Sequence, residues 1–433
     1  MKTLIKNGIV VNPKAKYEKK MDILVNESKI EKIAEQIVAD KNCQVIDVSG
    51  KYILPGLVDL HVHLREPGYE HKETIATGTK AAAKGGFTSI CCMPNTNPVA
   101  DNSSVIRFIQ HRVAEEGVVK VFPIGAISKE LKGQEISEIG MLKEAGVVGL
   151  SDDGSTVMNS GVMRRAMEYT KPFDLTFITH CEDQHLVNNG MVNEGYASMM
   201  TGLPGFPSAA EEIIIARDIA LAELTGARLH IAHVTTKGGV ELIRAAKQKG
   251  LEVTAEVTPH HLALSENELV SFNTSLKVNP PLRSKEDQLA LIVGLQDGTL
   301  DIIATDHAPH AYEEKMVEFQ WAPFGISGLE TALPVAITYL VKEGKISLLE
   351  LAEKMSYRPS EILNLNVGII EEGLDADLVI VDLDKELEVN TDNFVSKGKN
   401  SPFNRRKLTG WPIMTMVNGQ IVYQWSDKNY ASN

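Results

Sequence analysis

Apolar and polar positions alternate differently in the middle of the 433-residue chain and at its two ends. Residues 1–55 contain short apolar runs separated by turns, such as those at 9–11 and 23–25, and this pattern is typical of β-strands. The same pattern returns after residue 365, where Asn418-Gly419 between two apolar runs predicts a hairpin. Neither end carries candidate chemistry. We therefore predict that residues 1–55 and 365–433 pair into one small discontinuous β-sandwich domain.

Residues 56–364 instead alternate apolar strand-like runs with helical stretches. The predicted strands end near His61, Met93, Ile127, Ser151, His180, His233, Thr258 and Thr305. Ser208 with Glu211, and Ser284 with Asp287, have the spacing of capped helix starts. Eight strands separated by helical segments favour an α/β fold, a parallel (β/α)8 TIM-like barrel. No Gly-x-Gly-x-x-Gly motif follows a strand, which argues against a dinucleotide-binding sheet.

Composition narrows the possible partners and location of the protein. The 44 basic and 57 acidic side chains give a formal net charge of −13 without any basic run, which disfavours nucleic acid and anionic membranes as partners. No apolar run approaches the roughly 18 residues of a membrane helix, and the N-terminus lacks the apolar length of a signal peptide. The four cysteines of the chain are too few and too irregularly spaced for a disulfide framework. These features favour the cytoplasm.

The first candidate metal ligands follow the apolar run at 52–58. His61 and His63 are two residues apart in an extended strand, so their imidazoles share a face and can bind one divalent cation. Two histidines held by hydrogen bonds in a core are an equally good explanation of this motif alone. The other strand ends decide between the two explanations.

Four further strand ends carry a histidine or an aspartate. In a parallel barrel the carboxyl ends of all strands open on one rim, so these residues are expected to meet. Each alone could be a helix cap or a structural residue. Together with His61 and His63 they predict a two-metal site in which Asp153 bridges the ions, and zinc suits this ligand mixture best, although manganese or cobalt could substitute. The four residues are Asp153, His180, His233 and Asp306.

Such a site is suited to amide chemistry. Two metals about 3.5–4 Å apart can share a water, convert it to hydroxide near neutral pH and polarise a carbonyl. Asp306 would act as the general acid/base, taking a proton from the nucleophile and giving it to a leaving nitrogen. The sequence therefore predicts metal-assisted hydrolysis of an amide, or the reverse cyclisation. Cys91, Cys92 and Cys181 are interpreted as packing residues rather than nucleophiles.

Other residues near these strand ends are candidates for holding the substrate. Arg65 lies on the same face as His63 and suits a substrate carboxylate, although an ion pair with a nearby glutamate is the alternative. Asn95 and Asn279 follow strands, where asparagine is otherwise a turn former. His310 could donate a further hydrogen bond, and residues 311–325 read as a surface segment able to close over the site.

These motifs together resemble those of bacterial dihydroorotases of the amidohydrolase superfamily, in the longer class that acts with aspartate transcarbamoylase. The Asp-x-His-x-His pattern is shared with hydantoinases and allantoinases, whereas the combination of Arg65, Asn95 and residues 306–310 is more specific. The matching motifs are DLHVHLREPG at 59–68, MPNT at 93–96, SDDG at 151–154, THCED at 179–183, AHVT at 232–235, EVTPHH at 256–261, NPPLR at 279–283, ATDHAPH at 304–310, APFG at 322–325 and DADLVIVD at 375–382.

The resemblance implies the reversible cyclisation of N-carbamoyl-L-aspartate to dihydroorotate in pyrimidine biosynthesis. It also implies two zinc ions bridged by Asp153 and a hydroxide, with Asp152 as the alternative bridge. One ion would bind His61, His63 and Asp306, and the other would bind His180 and His233. The substrate would contact His63, Arg65, Asn95, Asn279, His310 and the backbone of Phe324 and Gly325. We also expect a homodimer and a possible complex with aspartate transcarbamoylase.

Two other functions compete with this interpretation. A hydantoinase or allantoinase acts on a neutral cyclic ureide, which has no carboxylate for Arg65 to bind. A non-catalytic scaffold for aspartate transcarbamoylase would be expected to lose metal ligands, and this chain keeps all six.

Overall fold

The computed structural model describes residues 2–426, and the strands of this part lie in three sheets. In chain order the strands are β1 Lys2–Asn12, β2 Tyr17–Asn26, β3 Lys29–Ala34, β4 Cys43–Asp47, β5 Tyr52–Pro55, β6 Leu57–Val62, β7 Phe87–Cys92, β8 Lys120–Gly125, β9 Gly149–Ser151, β10 Thr176–Thr179, β11 Val192–Asn193, β12 Gly205–Phe206, β13 Leu229–Ile231, β14 Val253–Val257, β15 Ile302–Ile303, β16 Leu378–Glu388, β17 Lys407–Val417 and β18 Gln420–Gln424.

The helices lie mainly between the strands of the central region. They are α1 Ile75–Lys84, α2 Ser103–Glu116, α3 Ile139–Glu144, α4 Ser160–Thr170, α5 Gln184–Val187, α6 Tyr196–Thr201, α7 Ser208–Thr225, α8 Lys237–Gln248, α9 Pro259–Ala263, α10 Lys285–Gln296, α11 Tyr312–Lys315, α12 Ala332–Ala336, α13 Leu348–Ala352 and α14 Arg358–Ile362. Within residues 2–426, no helix has both the length and the apolar character needed to span a membrane.

The central strands form the predicted parallel barrel. Strands β6 to β10 and β13 to β15 pair in parallel in chain order. The barrel closes where Val62 pairs with His307 and the His63 N–H donates to the His307 carbonyl at 2.9 Å. Each strand ends within two residues of its predicted end. This pairing confirms the (β/α)8 prediction. The strands could be predicted because the strands of a parallel barrel are buried on both faces and therefore appear in the sequence as apolar runs.

Strands from both chain ends form one further sheet, as predicted. Its order is β18-β17-β16-β5-β1-β2-β3, with β4 also paired to β1, and β5 joins the two ends by pairing with β1 and β16. The sheet has its own hydrophobic core, which includes Ile5, Ile23, Ile53, Leu378 and Met416. The hairpin at Asn418-Gly419 is confirmed, with φ angles of 49° and 73°. Residues 427–433 of the predicted C-terminal part lie outside the described residues.

Of the two predicted helix starts, the structure confirms the one at Ser284 and contradicts the one at Ser208. Ser284 caps α10 as predicted, because its hydroxyl accepts from the Asp287 backbone N–H at 3.1 Å. The capping box at Ser208 is wrong, since Pro207 is the capping residue and Ser208 is the first helical residue. Glu211 is buried, and its carboxylate accepts from the Thr235 N–H at 2.8 Å instead. A tertiary contact has replaced the local one.

Candidate active site

The predicted site residues meet at the carboxyl ends of the barrel strands, around a cavity of 340 Å³. His61 lies behind this lining and is fully buried. The other predicted residues line the cavity. The barrel thus brings together residues up to about 260 positions apart, as expected where the carboxyl ends of all strands open on one rim. The lining residues are His63, Arg65, Asn95, Asp153, Gly154, His180, His233, Asn279, Asp306, Ala308, His310, Pro323, Phe324 and Gly325.

Histidine nitrogens and carboxylate oxygens face one another on one side of the cavity. His61 Nε2 lies 3.2 Å from Asp153 Oδ1 and 3.6 Å from Asp306 Oδ1. His63 Nε2 lies 3.1 Å from Asp306 Oδ1 and 3.4 Å from Asp153 Oδ2. Two sets of three residues each have their donor atoms within 4.8 Å of one another. One set is His61, Asp153 and His233, and the other is His61, His63 and Asp306. Both sets have the composition of a divalent-metal site.

His180 completes this cluster from strand β10. Its Nδ1 is 2.9 Å from His233 Nε2 and 3.9 Å from Asp153 Oδ1, while its Nε2 is 2.9 Å from Glu182 Oε2. The Glu182 carboxylate therefore fixes the ring so that Nδ1 faces the cluster. All six predicted ligands are brought together at one place.

The residues present fit a bound cation. His61 Nε2 and Asp153 Oδ1 are buried and have no hydrogen-bond partner within residues 2–426. Such atoms are costly to bury unless something pairs with them, and a metal ion accepts both kinds of donor. Burial alone would raise the pKa of Asp153, but His61 and His233 lower it well below its usual range. Asp153 is therefore an anion, as a ligand must be.

The backbone is strained at three of the strand ends. Arg65, His233 and Asp306 have φ angles of 61°, 32° and 47°, a region that non-glycine residues rarely adopt. Each such residue costs on the order of 1–3 kcal/mol and persists only where the surrounding structure holds it. All three side chains line the cavity.

Glu256, to which no role was assigned from the sequence, lies behind the cluster on strand β14. Its carboxylate accepts from His61 Nδ1 at 2.6 Å, His230 Nε2 at 3.1 Å and the His233 N–H at 3.2 Å. Burial would raise its pKa, but His61 and His230 lower it overall, so it is an anion. It fixes the proton of His61 on Nδ1 and leaves the Nε2 lone pair facing the cluster. A charged residue inside a buried barrel strand was the available signal.

Asp152 and Asp153 point in different directions. The Asp152 carboxylate accepts from the backbone N–H groups of Ile127 and Ser128 at 2.8 and 2.9 Å, and from the Ser128 hydroxyl. Asp153 faces His61 and His63. The geometry therefore favours Asp153 over Asp152 as the residue between the two sets of ligands.

Arg65 lines the same cavity next to Pro309. It is half-buried, and within the described part of the chain its one hydrogen bond runs from Nε to the Pro309 carbonyl at 3.4 Å. The two terminal nitrogens of its guanidinium therefore remain available to a ligand. His310 Nε2 donates to the Phe324 carbonyl at 2.7 Å, and burial together with the Arg65 charge lowers the pKa of His310 to about 3. His310 is a neutral imidazole.

The two predicted substrate asparagines also have partners in the protein. Asn279 Nδ2 donates to Glu182 Oε2 at 2.7 Å, whereas its buried Oδ1 has no partner among the described residues. Asn95 Oδ1 accepts from His63 Nδ1 at 2.9 Å, and its Nδ2 donates to the Asp153 carbonyl at 3.3 Å. Asn95 thus orients His63, while Asn279 presents a free acceptor.

The peptide groups of Phe324 and Gly325 are already engaged in part. The Gly325 N–H donates to the Lys277 carbonyl at 2.9 Å, and the Gly325 carbonyl accepts from Asn400 Nδ2 at 2.9 Å. The Phe324 carbonyl accepts from His310. A carbonyl oxygen keeps a second lone pair, so both carbonyls can still accept from a ligand, whereas the Gly325 N–H is used within the protein.

Two lysines hold the segment 311–325 against the barrel. Lys315 Nζ donates to the carbonyls of Pro323 and Thr274 at 2.6 and 3.0 Å. Lys277 Nζ donates to the carbonyls of Phe319 and Gln320 at 2.9 and 3.0 Å. Burial lowers the pKa of Lys277 to about 8 and that of Lys315 to about 7. The segment is therefore folded down, with Phe324 in the cavity wall.

A larger cavity, of 510 Å³, opens at the other end of the barrel. Its cations Arg228, Lys247 and Arg358 pair with Asp174 and Asp301. This cavity therefore presents no unpaired cation to a ligand within the described residues, and we place the candidate active site at the rim with the histidines.

The buried cysteines agree with their interpretation as packing residues. Cys91, Cys92 and Cys181 are each at most 4 % exposed. Burial raises the pKa of the Cys92 thiol to about 12 and that of the other two well above the usual value. None is a thiolate near neutral pH, so none is suited to nucleophilic attack.

Comparison with known proteins identifies the family to which the chain is similar. A family model described as dihydro-orotase-like matches residues 50–239. Dihydroorotase from Ruminiclostridium cellulolyticum is 55 % identical over 422 residues, which cover 98 % of each chain. Dihydroorotase from Acetivibrio thermocellus is 54 % identical over 419 residues, covering 97 % of this chain and 98 % of that one. Among solved structures, L-hydantoinase (dihydropyrimidinase) from Arthrobacter aurescens superimposes with a TM-score of 0.88 at 27 % identity, covering 98 % of this chain and 96 % of that one.

Proposed function

The chain belongs to the dihydroorotase family of cyclic amidohydrolases, and we propose on that basis that it catalyses the reversible cyclisation of N-carbamoyl-L-aspartate to (S)-dihydroorotate plus water, in de novo pyrimidine biosynthesis. One observation carries this function beyond family membership. The half-buried guanidinium of Arg65 faces the same cavity as the histidine and aspartate cluster, and its terminal nitrogens have no hydrogen-bond partner among the described residues. A substrate with both a carboxylate and a reacting amide matches the two sides of this cavity.

We propose two zinc ions in the cluster. His61, His63 and Asp306 would hold one ion, His180 and His233 would hold the other, and Asp153 would contact both. When bound, the metals would polarise the amide carbonyl and activate water for attack in the hydrolytic direction. Glu182 and Glu256 support this assignment because each orients a ligand histidine through its other ring nitrogen.

Asp306 is the proposed general acid/base. It is at the cavity wall, and burial would raise its pKa, but His61 and His63 lower it overall, so its resting form is the carboxylate. During hydrolysis this carboxylate takes a proton from the attacking water and delivers it to the ring nitrogen as the amide bond breaks. In the cyclising direction the same oxygen accepts the proton from the attacking carbamoyl nitrogen.

The remaining cavity residues hold the substrate in this proposal. Arg65 pairs with the carboxylate, while the free Oδ1 of Asn279 accepts from a ring N–H. His310, Asn95 and His63 line the same wall, and the carbonyls of the 324–325 segment offer their second lone pairs to the ring amide. Such binding would place the scissile amide over Asp153 and Asp306.

The assay uses the purified, zinc-supplemented protein with dihydroorotate, hydantoin and allantoin in parallel. Ring opening confined to dihydroorotate is expected, since the neutral ureides offer Arg65 no carboxylate. Opening of hydantoin or allantoin would favour the hydantoinase function suggested by the structural neighbours. Inactivity on all three would favour a non-catalytic scaffold, and the assay would then be repeated with aspartate transcarbamoylase.

Replacing Asp306 tests the mechanism within the same assay. Asp306→Ala is expected to abolish turnover because it removes a ligand and the proton carrier together. Asp384→Ala is the matched control, since the Asp384 side chain is 93 % exposed and remote from the cavity. Turnover by Asp306→Ala at a tenth of the parent rate or above would refute the assignment.

The proposed partners rest on the family resemblance, and the proposed location rests on the composition of the chain. We propose a homodimer in the cytoplasm, and a complex with aspartate transcarbamoylase. Size-exclusion chromatography of the mixture at high protein concentration tests the complex, and separate elution of the two proteins would contradict it.

A further inference from the structure

A buried asparagine from beyond the barrel contacts the substrate side of the site. The segment 389–406 connects β16 to β17 of the end sheet, and within it Asn400 is only 4 % exposed. Its Nδ2 donates to the carbonyls of Ala308 and Gly325 at 3.2 and 2.9 Å. Its Oδ1 accepts from the His310 N–H at 3.1 Å and from the Ser327 hydroxyl at 2.9 Å.

These four bonds use the complete capacity of a side-chain amide, which has two N–H donors and an oxygen with two lone pairs. They also fix its orientation, because both donors face carbonyls and the oxygen faces an N–H. The backbone adds a fifth bond, from the Ser327 N–H to the Asn400 carbonyl at 2.9 Å. Asn400 thus joins the strand-end loop at 308–310 to the segment at 324–327.

The neighbouring residues hold Asn400 tightly in place. A Cβ atom on Gly398 would lie 2.5 Å from both Pro309 Cβ and Ser327 Oγ, so the segment approaches the barrel loop as closely as glycine permits. Before Gly398 in the chain, Glu330 Oε1 accepts from the Ser396 N–H at 3.0 Å. The segment that leads to Asn400 is therefore held at Glu330 as well as at the two loops.

We propose that Asn400 is a positioning residue that sets the distance between the two substrate-contacting loops, and thereby controls substrate affinity rather than metal binding. The proposal rests on the proposed function, because the loops contain His310, Phe324 and Gly325. None of the four side-chain hydrogen bonds of Asn400 runs to one of the six cluster residues. It acts through the His310 backbone and the Gly325 carbonyl, which lie on the Arg65 side of the cavity.

Asn400→Asp is the sharpest perturbation because it keeps the side-chain volume while a carboxylate oxygen, with its negative charge, replaces the donor nitrogen. An oxygen would replace Nδ2 beside two carbonyl oxygens, so two attractions become repulsions and the loops are pushed apart. Misplacement of binding groups by about 1 Å can cost on the order of 100-fold in rate or binding. We expect KM for dihydroorotate to rise about 10- to 100-fold, with kcat changed by about threefold at most and the metal content unchanged.

The experiment compares Asn400→Asp with Asn404→Asp in the zinc-loaded full-length protein. Asn404 is an exposed residue of the same segment, and within residues 2–426 its side chain accepts from the Thr391 N–H alone. The KM of Asn404→Asp is therefore expected to equal that of the parent. An unchanged KM for Asn400→Asp would overturn the proposal, as would loss of metal at unchanged KM. Inactivity of the parent itself would instead count against the proposed function, so the two failures are distinguishable.

A milder variant keeps the proposal testable if Asn400→Asp does not fold. Ser327→Ala removes one of the four bonds and leaves both Nδ2 donors in place. We expect its KM to rise about threefold at constant kcat and metal content. An unchanged KM in this folded variant would overturn the proposal on its own.

Discussion

Replacing Glu256 by glutamine tests how much the buried carboxylate behind the cluster contributes to metal binding. The carboxylate accepts from two imidazoles, at 2.6 and 3.1 Å, and from one backbone N–H at 3.2 Å. Glutamine has almost the same volume but no charge, and its amide nitrogen is a donor that would face another donor on one side. The substitution therefore isolates charge and hydrogen-bond polarity from packing.

The magnitude follows from the three contacts. Hydrogen bonds to a charged group contribute about 1.5–3 kcal/mol each, against about 0.5–1.5 kcal/mol for neutral ones. Neutralising Glu256 would thus weaken the two imidazole contacts by about 2 kcal/mol in total, with a further cost for the mismatched donor. Loss of such a supporting group typically lowers metal affinity about 10- to 100-fold, which corresponds to about 1.4–2.7 kcal/mol. We expect a loss of zinc affinity in that range for Glu256→Gln.

The assay is chelator competition, followed by metal analysis of the equilibrated protein. Glu252→Gln is the matched control, because Glu252 precedes the same strand and is exposed. A parent-like zinc affinity in Glu256→Gln would refute the reasoning, even if turnover fell. Thermal unfolding of both metal-free variants separates loss of zinc affinity from loss of fold.

Three further predictions concern the other parts of the site. Arg65→Met is expected to raise KM for dihydroorotate by about 100-fold with metal content unchanged, because a bidentate ion pair is lost, and loss of metal would show that Arg65 supports the cluster instead. Cys181→Ser is expected to keep turnover within about twofold, because the thiol packs in the hydrophobic core and its hydrogen bonds within residues 2–426 are to Thr179, and total loss of activity would contradict its packing role. Lys315→Met tests a pH effect. Burial lowers the pKa of Lys315 to about 7, so the folded protein binds fewer protons than the unfolded chain between about pH 7 and 10. The free energy of unfolding therefore rises with pH in this range, by up to about 1.4 kcal/mol per pH unit. Urea unfolding at pH 7 and 9 should show a smaller rise for Lys315→Met than for the parent, and equal rises would contradict the prediction.

The barrel and its rim residues could be predicted because both depend on local patterns and one general rule. Apolar runs mark the strands, and the convergence of strand ends in a barrel brings His61 and Asp306 together although they are far apart in sequence. Ser284 and the hairpin at Asn418 were predictable for the same reason, since a cap or a tight turn is specified by residues three or four positions apart.

The roles of Glu211, Glu256 and Asn400 could not be predicted, because each is defined by partners distant in sequence. Glu211 has the spacing of a capping residue, yet its carboxylate binds Thr235 in the loop after the next strand. Glu256 is recognisable as unusual in its strand, but its partner His61 lies 195 residues away. Nothing around Asn400 distinguishes it from a turn asparagine until the fold places it beside residues 308–310.

The mixed origin of the end sheet has a consequence for how the protein is made on the ribosome. Strand β5 ends at Pro55 and its partner β16 begins at Leu378, so 323 residues must be synthesised before the two can pair. At about 5–20 residues per second this takes roughly 15–65 seconds, during which the N-terminal strands keep an open edge in the crowded cell. All eight barrel strands emerge in that interval, whereas Asn400 emerges after it. We therefore expect the nascent chain to acquire its metal-binding residues before its substrate loops are secured.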